Sequence, residues 1–200
     1  FTAASQIALV WVESGNYLPA SKNNDFKLYF GTQAAVNGGD SYATYDADTA
    51  LVLHFDESVC VRDSTAYQTQ VLGQGITNPA SIIGNGVILS GAEPLQIVDS
   101  DHLRFGTEKG FTVAFWARFD EMPETDVFLL DRMDPLFTRL SIEVKAGQII
   151  AKFGDADLTS PTPLPVATWQ HIAVTGGEGD FTLFKIGRAW CRERAERSVR

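Results

Sequence analysis

The chain has 200 residues, 44% of them hydrophobic, which is enough for a packed core and too apolar for a wholly disordered chain. Its formal charge of −9 and pI near 4.7 argue against nucleic acid as a partner, because phosphates call for a basic surface. No apolar run reaches the length of a membrane span, and the two cysteines, Cys60 and Cys191, are too few for a disulfide framework. Neither an initiator Met nor a signal peptide precedes Phe1, so the chain reads as an internal piece of a longer protein.

Residues 1–45 differ in pattern from the rest of the chain. IALVWVE (7–13) and FKLYFG (26–31) are predicted strands, separated by a polar stretch with Gly, Pro and Asn in turn positions. The small, polar run QAAVNGGDSYATYDAD (33–48) reads as a connector. From Asp46 onward strands are predicted at 50–55, 85–90, 94–99, 111–119, 126–132, 139–145, 148–154, 169–175 and 180–184. Asn85-Gly86, Gly91, Gly110, Ala146-Gly147 and Gly176-Gly177 supply turns between them. PTPLPVA (161–167) reads as an extended crossover, since proline removes a ladder donor. Many short strands without an amphipathic helix predict an all-β, two-sheet antiparallel sandwich over residues 46–184.

The strongest pattern is FTVAFWARF. Phe111, Val113, Phe115, Ala117 and Phe119 share one face, and Thr112, Ala114, Trp116 and Arg118 share the other. In the later strand Trp169, His171 and Ala173 alternate with Gln170, Ile172 and Val174. Strands so long and aromatic suit the middle of a sheet, and Phe111, Val113, Phe115, Trp169 and His171 are expected to be shielded.

The charge pattern breaks at residue 185. KIGRAWCRERAERSVR (185–200) holds six basic residues against two acidic ones. It lacks period-2 apolar alternation and places arginines where a half-buried strand calls for Val, Ile or Tyr. IGRAWCRER also resembles the translation of a common sequencing adapter. A non-native tail is therefore expected, with Cys191 unpaired and the native chain followed only to about Phe184.

"F-T-V-x-x-W-x-R", followed by "W-x-H-I-A-V-T", resembles the signature of bacterial LamG-type domains, which are concanavalin A-like jelly-roll sandwiches. The resemblance implies that the last strands of the sandwich are missing after Phe184. "A-L-V-W-V … L-P-A-S … L-Y-F-G … Y-D … L-V-L-H-F" is similar to the end of a β-rich domain that precedes LamG in bacterial envelope proteins. In one group of these the pair lies on the extracytoplasmic side of MotA/TolQ/ExbB-like proton-channel proteins of biopolymer transport. Residues 1–45 would then end an upstream domain, and 46–184 would form the LamG-like unit. The resemblance implies a non-catalytic recognition or scaffold module, periplasmic or extracellular, whose partner is a glycan or an envelope protein. The fragment itself would not span a membrane, while its parent would be membrane-anchored.

The same sandwich also hosts glycoside hydrolases, which is the alternative reading. Those enzymes place paired acids on one strand face. Asp56 and Glu57 are adjacent and so point to opposite faces, Glu121 and Glu124 lie in a Pro-containing turn, and Glu143 stands alone in its strand. No catalytic residue is therefore assigned. Calcium is the one candidate cofactor that the resemblance implies, with Asp63, Asp99, Asp101 and Asp131 as candidate oxygen ligands. His54 and His171 fall inside apolar strands and read as satisfied residues rather than ligands, and His102 stands alone. Asp63 in DSTAY reads as a turn aspartate bonded to nearby backbone. Trp116 and Trp169 could carry a stacked sugar but read as core. Tyr42, Tyr45 and Tyr67 lie in loops, better placed to touch a ligand.

Overall fold

The computed structural model describes residues 10–13, 39–40, 42–55, 61–73, 75–78, 81–91, 93–104, 110–133, 139–177, 180–187 and 193–194. The chain forms two compact units, Phe1–Asp99 and Ser100–Arg200. Among the described residues no helix is long and apolar enough to cross a membrane.

The first unit is built from short ribbons. β1 (Val71–Leu72) pairs antiparallel with β4 (Gln96–Ile97), and β2 (Ile76–Asn78) pairs antiparallel with β3 (Gly86–Ile88). Gly73 ends β1 at φ +93°, and a Cβ there would come within 2.8 Å of the Pro94 carbonyl oxygen, so the turn requires glycine. The strand expected at 50–55 is reduced to one bridge, Leu53 to Asp63. Two features explain this. Phe55 has φ 57°, which breaks the extended backbone, and the Val52 amide is taken by the Asp63 carboxylate rather than by a neighbouring strand. Of the other expected early strands, 26–31 and most of 7–13 lie outside the described residues.

The second unit is an antiparallel sandwich, as the strand pattern predicts. One sheet has the order β12-β11-β10-β5, from β5 (Phe111–Ala117), β10 (Gln170–Gly177), β11 (Asp180–Gly187) and β12 (Glu193–Arg194). The other has the order β6-β7-β8-β9, from β6 (Val127–Met133), β7 (Arg139–Lys145), β8 (Gln148–Phe153) and β9 (Ala156–Thr159). β10 lies inside its sheet as expected, whereas β5 ends the sheet order. The short β9 escapes the sequence because ADLT has one apolar anchor, Leu158, and follows β8 after a tight turn at Gly154.

Alternation determines what each strand buries. Leu140, Ile142 and Val144 of β7 and Ile149, Ala151 and Phe153 of β8 meet Ile172 and Val174 of β10 and Phe181 and Leu183 of β11 in one apolar core. Phe111, Val113, Phe115 and Ala117 of β5 pack against it, half-buried, on the face that the sequence assigns them. The expectation for β10 needs correction. Its buried side chains are Gln170, Ile172 and Val174, and His171 lies on the opposite face. Trp169 is half-buried just before the strand. Aromatic size suggested the wrong face: Ile172 and Val174 of β10 join the core, and the His171 ring goes outside.

Ala146 and Gly147 join β7 to β8 with φ 48° and 79°, the two left-handed residues of a type I′ hairpin. The Pro-rich 161–167 run is indeed not a strand; it tucks Leu164 into the core through a Leu164 amide to Gly147 carbonyl bond of 2.7 Å. The charge break at residue 185 does not end β11. Lys185, Ile186 and Gly187 pair with Ile172, His171 and Gln170, and the Lys185 ammonium donates to the Thr162 carbonyl at 3.0 Å. The strand continues because the ladder beside β10 still has unpaired groups to satisfy, a demand independent of side-chain charge. Cys60, Cys191 and residues 195–200 lie outside the described residues.

Ile172→Ala should destabilise the protein by about 2–5 kcal/mol in urea unfolding, since Ile172 has no exposed surface. Truncation after Phe184 should cost roughly 1–3 kcal/mol through lost ladder bonds, measured in the same way.

Candidate functional site

Catalysis in this fold requires two carboxylates facing one substrate. The sequence shows Glu143 as a lone acid, yet the sheet gives it a neighbour. Asp131 of β6 lies opposite Ser141 of β7, and Glu143 is two residues further along on the same outward face. That diagonal corresponds to roughly 7–8 Å between positions on adjacent strands. A search along single strands cannot find such a pair, because it forms across strands.

Both acids are already engaged. Asp131 accepts from Arg139 Nε at 2.8 Å and from Arg139 Nη2 at 3.0 Å, a two-pronged pair. Glu143, whose side chain is 9% exposed, meets Lys152 Nζ at 2.6 Å. The Arg139 guanidinium also lies 5.3 Å from the centre of the Phe128 ring. At the turn end of the same sheet Lys145 pairs with Asp126 at 2.9 Å. This outward face is thus a lattice of opposite charges on neighbouring strands. The remaining sequence candidates do not join it: Glu121 and Glu124 sit in the exposed turn before β6, and Asp56 and Glu57 lie outside the described residues.

The calcium candidates have separate roles. Asp63 is buried and both its oxygens are occupied. Oδ1 accepts from the Val52 and Thr65 amides at 3.1 and 3.0 Å, and Oδ2 accepts from the Thr65 hydroxyl and the Thr69 amide at 2.8 and 2.9 Å. Burial works to raise its pKa, but these four donors outweigh burial and hold the carboxyl below its ordinary value. Asp101 opens a single 3-10 turn (Asp101–Leu103), pairs with Arg104 at 3.1 Å and is otherwise exposed; Asp99 lies just before it. Asp131 is held by Arg139. Among the described residues no three His, Cys, Asp or Glu side chains gather where they could hold a metal ion.

The first unit has an aromatic cluster. Trp11 stacks on His54 with ring centres 4.5 Å apart, and the Tyr45 hydroxyl lies 2.8 Å from His54 Nε2. Burial raises the Tyr45 pKa. The Tyr67 hydroxyl donates to the Ala47 carbonyl at 2.8 Å, which anchors it, and Tyr42 is exposed. His54 therefore does have partners, as its place in an apolar run suggests.

The outward face of β5, β10 and β11 is unlike that of the other sheet. Trp116 faces out rather than into the core, and 37% of its surface is exposed. Across the ladder it pairs with His171, ring centres 5.1 Å apart. Burial lowers the His171 pKa and so keeps the ring neutral near pH 7. The next row is Ala114, Ala173 and Phe184, and the row beyond is Thr112, Thr175 and Thr182. Arg118, beyond the end of β5, pairs with Asp120 at 2.7 Å. Trp116 was legible as an outward residue from its parity in FTVAFWARF; its size suggested core.

The comparisons with known proteins agree with this architecture. Residues 90–187 match the Laminin_G_3 family model, described as the concanavalin A-like lectin/glucanases superfamily. The match runs through Lys185, Ile186 and Gly187, as β11 does. No curated protein and no solved structure matches the chain.

Asp63→Ala should destabilise by about 2–4 kcal/mol, because it strands buried donors. The folded pKa of Asp63 is depressed, so its stabilisation is fully present above the unfolded carboxylate range near pH 4 and is lost as pH falls through the folded value. Urea unfolding of wild type and Asp63→Asn should therefore show a stability difference that is constant near neutrality and shrinks in acid.

Proposed function

We propose that the chain is a non-catalytic recognition module acting outside the cytoplasm, whose sandwich binds a glycan or an envelope protein. The observation that carries this reading is the state of the two aligned carboxylates. Asp131 is clamped by Arg139 and Glu143 is tied to Lys152, whereas a glycosidase must leave one acid free to protonate a leaving group and the other free to attack or to activate water. The concanavalin A-like match over 90–187 supports a lectin-like role, and the superfamily description covers binding and hydrolysing members alike. The order of segments along 7–184 supports a place on the extracytoplasmic side of a MotA/TolQ/ExbB-like channel protein. The unit would there be a sensor or spacer, anchored through sequence beyond this chain.

Calcium is no part of this reading: Asp63, Asp131 and Asp101 are each held by groups of the chain itself, and only Asp99 and Asp101 are candidates that lie close together in sequence. A ligand that binds the folded state raises its melting temperature, and chelation with EDTA should move it by less than about 1 °C. A larger drop would give those two residues a calcium ion.

The non-catalytic reading predicts no new reducing ends when the protein is incubated with β-glucans, xylan or chitin. Hydrolysis abolished by Glu143→Gln or Asp131→Asn would replace it with the hydrolase alternative.

A further inference from the structure

The two outward faces of the sandwich have opposite chemistry. On the β6–β9 sheet Asp131, Arg139, Glu143, Lys145 and Lys152 interlock. On the other sheet, the outward positions of β5 and β10 are Thr112, Ala114, Trp116, His171, Ala173 and Thr175, with no formal charge among them. The chain as a whole has a net charge of −9.

We infer that the outward face of β5, β10 and β11 is the docking site of a neutral glycan, with one sugar ring stacked on Trp116. The inference rests on the proposed recognition role and adds to it a place and a ligand class. A sugar ring is amphipathic: its C–H groups form an apolar face and its hydroxyls form the rim. An indole presents an electron-rich face to such C–H groups and keeps a polar N–H at its edge. Trp116 is exposed on the side that the sheet leaves open, and His171 beside it supplies a neutral ring able to donate or accept. Ala114 and Ala173 form a low floor next to the rings, bordered on β11 by Phe184, and Thr112 and Thr175 beyond it offer hydroxyls that both donate and accept. Successive rows lie about 6.8 Å apart, so the three rows suit a short oligosaccharide lying along the strands.

Charge selects among the ligands. A sulfated, phosphorylated or carboxylated polymer would meet no cation at the outward positions of β5 and β10, and nearby Arg118 is held by Asp120 at 2.7 Å.

Calorimetric titration with cellohexaose, laminarihexaose, xylohexaose and chitohexaose tests the assignment, with a heparin-derived hexasaccharide as the charged control. Wild type should bind at least one neutral hexaose and not the heparin fragment. Trp116→Ala and Ala114→Glu should each weaken that binding by about tenfold or more. Ala114→Glu blocks the floor while keeping the indole, so it decides the matter if Trp116→Ala fails to fold. Equal binding by both folded variants, binding of heparin alone, or no binding of any neutral hexaose would overturn the assignment. So would a dimer in ultracentrifugation that Ala114→Glu dissolves, which would give the face to a second copy of the chain. Reducing ends released from a bound hexaose would instead sink the non-catalytic reading, so the two failures are distinct.

Discussion

Phe153 of β8 lies between Phe111 and Phe181 of the opposite sheet, with ring centres 4.8 and 5.7 Å away. Around it Ile142, Val144, Ile149, Ile172 and Val174 are fully shielded. Burying this apolar layer is the dominant favourable contribution in the second unit. It also fixes direction. Because side chains alternate along a strand, committing Ile172 and Val174 inward commits His171 and Ala173 outward. A register slip of one residue would exchange the two faces throughout.

The surface chemistry results from that commitment. Between core residues Leu140, Ile142 and Val144, β7 places Ser141 and Glu143 on its other side. Glu143 is almost wholly shielded there and needs the Lys152 ammonium beside it. Asp131 and Glu143 of this face are thereby used to hold the sheet together. β5 and β10 have no charged residue at their outward strand positions, so no ion pair ties those positions together. They are left with rings, methyls and hydroxyls, groups that can exchange water for a ligand at low cost. The first unit depends on a different device. One buried carboxylate, Asp63, gathers three backbone amides and a hydroxyl from segments too short to satisfy one another as strands.

Much of the sandwich was legible in the sequence. RLSIEVK and QIIAKFG show period-2 alternation with a two-residue turn between them, and the ladder adopts that register from Lys145–Gln148 to Leu140–Phe153. FTVAFWARF likewise assigns its faces by parity alone. The sequence is a poorer guide where size and parity disagree. Trp116 and His171 look like core by bulk, but their strand mates occupy the inside. Cross-strand relations are hidden as well: nothing in the linear order puts Asp131 next to Ser141 and Glu143. Charge misleads at Lys185, where backbone pairing carries β11 through a segment whose composition argues against a strand. The strand at 50–55 fails for a local reason, the left-handed Phe55, which an apolar run cannot reveal.

Hydroxyl-radical footprinting of the folded protein, read by mass spectrometry at single residues, tests the facing of the strands most directly. The account predicts rapid oxidation of Trp116 and Phe128 and strong protection of Phe153 and Phe181. Protection of Trp116 together with oxidation of Phe153 or Phe181 would contradict it, because the outward face assigned to recognition would then be the core.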